Sequence, residues 1–173
     1  MDEDLRAQLL ARSEEDQRVR RLVDVPRDGR PTRLPDDVAE QWDRADASNT
    51  AWLAEVVASR GWPGRTLAGE DGAAAAWLLA QHADRRPELQ RVFLDALRAA
   101  VAAGEASLAH LAYLEDRVRV GAGQPQLYGT QFTFADGELR PCPVEDPEQL
   151  DERRAAAGLE PIADYAARLR ESG

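Results

Sequence analysis

One cysteine, two histidines and no lysine among 173 residues set the first limits on this chain. The lone Cys142 excludes an intramolecular disulfide and any cysteine-cluster zinc site, and its place between Pro141 and Pro143 reads as structural, not nucleophilic. No apolar run approaches the length of a membrane span. Residues 1–20 are charged throughout, with no apolar centre of the signal-peptide kind, so cytoplasmic residence without membrane attachment is the default expectation. No Gly-x-Ser-x-Gly elbow occurs, which disfavours covalent catalysis by serine. Without lysine, all 22 basic side chains are arginine; they face 32 acidic ones, for a formal charge of −10. That balance argues against a nucleic-acid partner, which demands a basic face.

What is present is a helical pattern. The length and the 43% hydrophobic content suit a single domain over residues 1–173 with a real core. The fold predicted is mainly α, a bundle of about six or seven helices with a short β-hairpin near 126–142, a polar loop at 23–35 and a C-terminal helical pair at 147–170. Residues 73–80 carry no polar side chain except the Trp77 indole, so a helix there is apolar all round and central. It is expected to follow a glycine-rich loop from Gly61 to Gly72. That loop resembles a phosphate-binding loop only superficially, because Glu70 and Asp71 stand where Lys and Ser or Thr are needed. The acidic pair fits better at the positive end of the central helix.

Around this helix the spacing of apolar residues predicts an amphipathic helix over 3–22, with Asp16 at the edge of its buried stripe and solvated. A second helix runs from Pro35 towards Arg60, either unbroken or split by an N-cap at Asp46 or Ser48. A third follows the Pro87 break and ends near Gly104, with Gln90 bordering Phe93 and Leu94 on its packed face. A fourth is capped by Ser107, with Tyr113–Arg117 stacking and Glu115–Arg119 pairing as local contacts. Alternation at Tyr128, Thr130, Phe132 and Phe134, with Asp136-Gly137 as the turn, marks the hairpin. Tyr128 and Gln131 reach one site only if Gly129 permits a bulge or the strand starts after it.

The candidate site begins where the central helix ends. Gln81 and His82 are polar groups at the end of an apolar helix, and each needs a partner from elsewhere in the chain. His82 reads either as a satisfied core histidine or as a general acid or base, since imidazole ordinarily titrates near neutrality. Asp84, just before Pro87, reads as a cap for the next helix or as a partner of His82. Asn49 interrupts an apolar stripe seven residues from both Trp42 and Val56, and is a second amide in need of a partner unless it belongs to a first turn.

The phrases Asn49-Thr50-Ala51-Trp52-Leu53, Gly61-Trp62-Pro63, Gln81-His82-Ala83-Asp84, Asp116-Arg117-Val118 and Tyr128-Gly129-Thr130-Gln131 together resemble a widespread bacterial family of functionally uncharacterised proteins. That family is marked by a Gln-His-Ala-Asp motif followed by a Tyr-Gly-Thr-Gln motif. The likeness runs from about Asp16 to Tyr165 and carries over no activity. It implies that Asn49, Trp62, Gln81, His82, Asp84, Asp116, Arg117, Tyr128 and Gln131 are recurring polar and aromatic residues of the family.

Two functions of different class follow. The first is a small-pocket enzyme acting on a small molecule or peptide by hydrolysis or proton transfer. His82 is its general acid or base, Asp84 or Asp116 orients the imidazole, and Arg117 clamps an anionic group. Asn49, Tyr128 and Gln131 position the substrate, with Trp62 and Gln81 completing the binding set. The alternative is a non-catalytic binding or interaction module in which the same residues form a buried network. A metal site built on His82, Asp84 and Asp116, with His110, matches no ligand spacing, so neither a metal nor a cofactor is expected.

Overall fold

A computed structural model describes residues 1–22, 34–135 and 137–172. The expected polar loop at 23–35 therefore lies outside the described residues from 23 to 33, as does Asp136 of the expected turn. Seven α-helices occur among the described residues: α1 (Glu3–Arg20), α2 (Asp36–Arg60), α3 (Arg65–Gln81), α4 (Pro87–Ala102), α5 (Leu108–Gly121), α6 (Leu150–Ala156) and α7 (Ile162–Ser172). Between α5 and α6 lie β1 (Phe132–Ala135) and β2 (Glu138–Pro141), one antiparallel hairpin, and a 3₁₀ turn at Pro147–Gln149. The architecture is the mainly α domain with a short hairpin that the sequence pattern predicts.

The alanine run makes α3 the axis of the bundle. Ala68, Ala75, Ala76, Leu79 and Ala80 are buried, and α3 touches α1, α2, α4 and α5. Small side chains let its neighbours come close: a Cβ on Gly72 would sit 3.0 Å from the Ala68 methyl and 3.5 Å from the Arg6 side chain on α1. Larger residues from the surrounding helices fill the remaining space, Leu9 from α1, Leu53 from α2, Phe93 and Leu97 from α4 and Leu114 from α5, all fully buried. Each such side chain stabilises the fold by about 1.5–3 kcal/mol relative to exposure, before the cost of ordering it.

Several local expectations are corrected by contacts that cross between elements. The loop expected to last until Gly72 closes early, because α3 begins at Arg65. The Glu105 carboxylate accepts from both the Thr66 N–H (2.7 Å) and the Thr66 hydroxyl (2.6 Å), holding the first turn in place from the connection between α4 and α5. A single non-helical residue, Gly69 (φ 75°, ψ 171°), then bends the helix, and this positive φ is a conformation glycine adopts at no steric cost. Helix α2 runs unbroken through Asp46 and Ser48. Ser107 stands at the N-cap of α5 but makes no capping hydrogen bond. The pairs expected along α5 go elsewhere: Glu115 accepts from Arg98 (2.5 Å), Arg119 pairs with Glu145, and Tyr113 packs edge-on against Trp77 and Tyr165. The hairpin starts later than expected, at Phe132, so Tyr128 and Gln131 precede the strand and need no bulge within it.

One surface pair fixes the start of α3 against α1. Arg6 grips Asp71 through Nε (2.8 Å) and Nη2 (2.5 Å), and the Gly72 N–H donates to the same carboxylate. The Arg6 hydrogen bond holds the Asp71 carboxyl down to about 2, from an ordinary 3.8, against a smaller opposing effect of burial. A depressed carboxyl stabilises the fold above its ordinary value and loses that contribution as pH falls through its folded value. Asp71→Asn is therefore expected to melt below the wild type at neutral pH, with the gap shrinking between pH 3.8 and pH 2. Paired thermal melts across that window check it; a gap independent of pH would contradict it.

Candidate functional site

Positions Arg12, Asp16 and Arg20 recur every four residues on α1, so they share one face, and that face meets Trp42, Asp46, Asn49 and Trp52 of α2. The result is a polar seam between the two helices. At its centre Asp16 is fully buried and accepts from Arg20 Nη1 (2.6 Å) and from the Gln17 amide (3.0 Å). Arg20 also donates to Asp46 (2.9 Å) and lies 4.7 Å over the Trp42 ring, while the Trp42 indole N–H donates to the other oxygen of Asp46 (3.0 Å). Burial raises the Asp46 carboxyl above its ordinary value, and Arg20 opposes that rise.

His82, the residue that closes α3, enters this seam from the third helix. Its Nδ1 lies 2.9 and 3.0 Å from the two oxygens of Asp16. A ring nitrogen facing only a carboxylate carries the hydrogen, so the lone pair of the neutral ring is on Nε2. The His82 side chain retains 16% exposure against 1% for Asp16, and Nε2 makes no hydrogen bond among the described residues. The expectation that Asp84 or Asp116 orients the imidazole is thus corrected to Asp16. So is the reading of Asp16 as solvated: the signal was its position seven residues after Leu9, on the buried stripe.

Asp84 belongs to a neighbouring cluster. It does not cap α4, whose N-cap is Arg86 without a side-chain bond. Instead it accepts from Arg117 Nε (2.7 Å) and Nη2 (2.5 Å) and from the Gln90 amide (3.1 Å). Burial pushes its carboxyl up, but Arg117 with help from Gln90 and His82 outweighs this and holds it below its ordinary value. The expected anion clamp is therefore already filled, since Arg117 spends its fork on Asp84. Asp84, Gln90, Arg117 and Gln131 line a cleft of about 340 Å³.

The remaining motif residues go elsewhere. Asp116 is fully buried; its carboxylate accepts from the N–H groups of Leu127 (2.7 Å), Tyr128 (3.0 Å) and Thr130 (2.9 Å) and from the Thr130 hydroxyl (3.0 Å). It organises the segment before the hairpin, where Gly129 takes φ 67° and a Cβ would lie 2.9 Å from Ile162. The Tyr128 carbonyl accepts from Arg154 (2.5 Å), and burial raises its phenol. Gln81, with its amide oxygen turned to α5, accepts from the Leu114 N–H (2.9 Å), and Trp77, four residues before it, donates to the His110 carbonyl (2.9 Å). Trp77 also stacks on the His110 ring at 4.1 Å, where burial keeps that imidazole below its ordinary pKa. Trp62 is buried in the core, and its indole N–H has no acceptor among the described residues, at a cost of about 1–3 kcal/mol. Asn49 joins the seam one turn from Asp16, accepting from Arg12 (3.1 Å).

Of the nine candidate residues, then, Asn49 and His82 meet the α1–α2 seam, Asp84, Arg117 and Gln131 share the cleft, and Gln81, Asp116, Tyr128 and Trp62 are bound into the framework. Sequence reasoning missed Arg12, Arg20, Trp42 and Asp46 as site residues. Burial raises the Cys142 thiol, which lowers its thiolate content. Among the described residues no three His, Cys, Asp or Glu side chains are grouped to hold a metal ion.

The model of a family described as a family of unknown function, DUF6624, matches residues 3–173. No curated protein and no solved structure matches the chain.

The Asp116 arrangement makes a direct prediction. Asp116→Asn replaces one acceptor oxygen by a donor that faces N–H groups, and is expected to cost about 2–4 kcal/mol. Denaturant unfolding measures the loss, and amide exchange at Leu127, Tyr128 and Thr130 should accelerate with it. Unchanged stability would show that the carboxylate does not hold this segment.

Proposed function

We propose that this chain, which belongs to the DUF6624 family, uses His82 as a general acid or base on a small polar molecule or peptide. The observation that carries the reading is the pairing of His82 Nδ1 with the fully buried Asp16 while part of the imidazole reaches solvent. A carboxylate in that position fixes the ring orientation and the tautomer, and it stabilises the imidazolium that forms when Nε2 takes a proton. Arg20 and Gln17 of α1 in turn fix the carboxylate, and Arg20 ties it to Asp46 of α2. The reaction class that fits is hydrolysis or proton transfer with water or substrate as nucleophile, since among the described residues no serine or cysteine is hydrogen-bonded to His82.

The neighbouring cleft beside Asp84, which His82 does not itself line, offers a place for the part of the substrate away from the reacting atoms. Asp84 is electrostatically coupled to His82 and lines the cleft with Gln90, Arg117 and Gln131, a mixture of donors and acceptors suited to a neutral or zwitterionic group. On this reading the run Gln81-His82-Ala83-Asp84 divides its work: the first residue anchors the helix end, His82 performs the proton transfer and Asp84 shapes the neighbouring cleft. A non-catalytic role is supported for part of the set, because Asp116 and Gln81 spend their side chains on backbone groups.

The test uses His82→Gln, whose amide can still donate to Asp16 but cannot exchange a proton near neutrality. Fragments are screened by nuclear magnetic resonance against protein labelled at histidine. The expected result is a set of polar fragments that shift the His82 ring signals of the wild-type protein, together with a nearly unchanged melting temperature in His82→Gln. No fragment reaching His82, together with a fall in melting temperature of more than about 8 °C in the variant, would make the residue a structural one.

A further inference from the structure

The arginines of this acidic chain are mostly closed by carboxylates: Arg6 by Asp71, Arg20 by Asp16 and Asp46, Arg98 by Glu115 and Arg117 by Asp84. Arg12 is different. It is half-buried at one end of the α1–α2 seam, and its partners are all neutral. Nη1 donates to Asn49 Oδ1 at 3.1 Å and reaches the Ser48 hydroxyl at 3.4 Å, and the guanidinium lies 4.6 Å over the Trp52 ring. Nε and Nη2 make no hydrogen bond among the described residues. The cation is thus held in position by a ring beneath it and a buried amide beside it, with one edge of its fork unused.

That edge opens on a groove of about 510 Å³ between α1 and α2, within the size range of small-molecule sites. Ala11 and Ala45 keep the groove open, and Gln8, Gln41 and Ser48 supply neutral polar walls. The charges around it balance except at Arg12: Glu15 is bound by Arg18 at 2.6 Å, and Arg44 has Glu40 at 4.0 Å. A local excess of one positive charge suits a monoanion, and the planar fork with two free donors matches a carboxylate in the bidentate manner.

We infer that the α1–α2 groove is a binding site for a small organic monocarboxylate, whose carboxylate is taken by Arg12 with Trp52 and Asn49 holding the guanidinium in place. The site is prepared in advance, because the guanidinium is already ordered and little side-chain freedom remains to be lost on binding. It lies about one helical turn, or ~5 Å along α1, from the Asp16–His82 pair. It does not depend on proton chemistry at His82, and either reading can fail while the other stands.

Sodium benzoate is the probe, with benzamide as its neutral isostere. Spectra of nitrogen-15-labelled protein are followed at the Trp52 indole N–H and the Asn49 side-chain amide. The expected result is saturable movement of both signals by benzoate with a Kd on the order of 1 mM, and none by benzamide. Arg12→Gln should weaken benzoate at least about tenfold, and Arg12→Lys, which keeps the charge but loses the fork, should fall between. A tripeptide with a free C-terminus that binds more tightly than its amidated form and than benzoate would identify the carboxylate as a chain end; the reverse order would identify it as a free organic acid. Benzamide binding as well as benzoate on the wild-type protein would overturn the inference even if both variants failed to fold. So would equal affinity in a folded Arg12→Gln, equal movement by sulfate, or no saturable movement up to about 50 mM benzoate.

Discussion

The Asp16 carboxylate, taken wholly out of water, is the constraint to which the first half of the chain answers. An ion of that size loses several kcal/mol of hydration on burial and is tolerated only where charged or hydrogen-bonding partners surround it. Here the partners come from three directions: Arg20 and Gln17 on the same helix, His82 at the end of α3, and, through Arg20, the Asp46 and Trp42 pair of α2. Removing any one leaves the rest under-satisfied, so α1, α2 and the end of α3 are locked in register by electrostatics as well as by apolar packing. Asp116 repeats the solution in the second half, with backbone N–H groups in place of side chains.

The sequence makes the helices legible because their information is local. The alanine run marks the axis, Pro87 marks the start of α4, and apolar residues at helical spacing mark the faces. The site was legible in composition but not in pairing. His82 and Asn49 stand out as polar residues on apolar stripes, and so does Asp16, yet nothing local says that Asp16 meets His82 across 66 residues. The nearest carboxylate in sequence, Asp84, reads locally as either a helix cap or a partner of His82 and is neither. It went to Arg117 because a bidentate guanidinium from α5 satisfies both its oxygens. The start of α3 was hidden for the same reason: Glu105, not any nearby residue, holds its first turn.

The arginines divide the molecule functionally. Where a guanidinium is closed by a carboxylate it braces two elements, as Arg20 and Arg117 do. Where it rests on neutral acceptors its charge is still available, and Arg12 is such a case beside a groove. In a chain with ten more acids than bases, a cation left without a counter-ion is the less expected state. Asp16, which meets His82, and the open guanidinium of Arg12 occupy successive turns of α1, so one helix face carries both a buried carboxylate and a cation resting on neutral acceptors.

The crossing of α3 and α5 sets how the protein breathes. Trp77 and Gln81 attach to the His110 carbonyl and the Leu114 N–H, two backbone groups that stand four apart in the same helix. A turn of α5 cannot open without releasing both side chains, and α3 cannot slide without exposing them. The two helices are therefore expected to open together, not one at a time, in native-state hydrogen exchange. Fluctuations at lower cost are left to the hairpin and to α7, away from the seam where His82 sits.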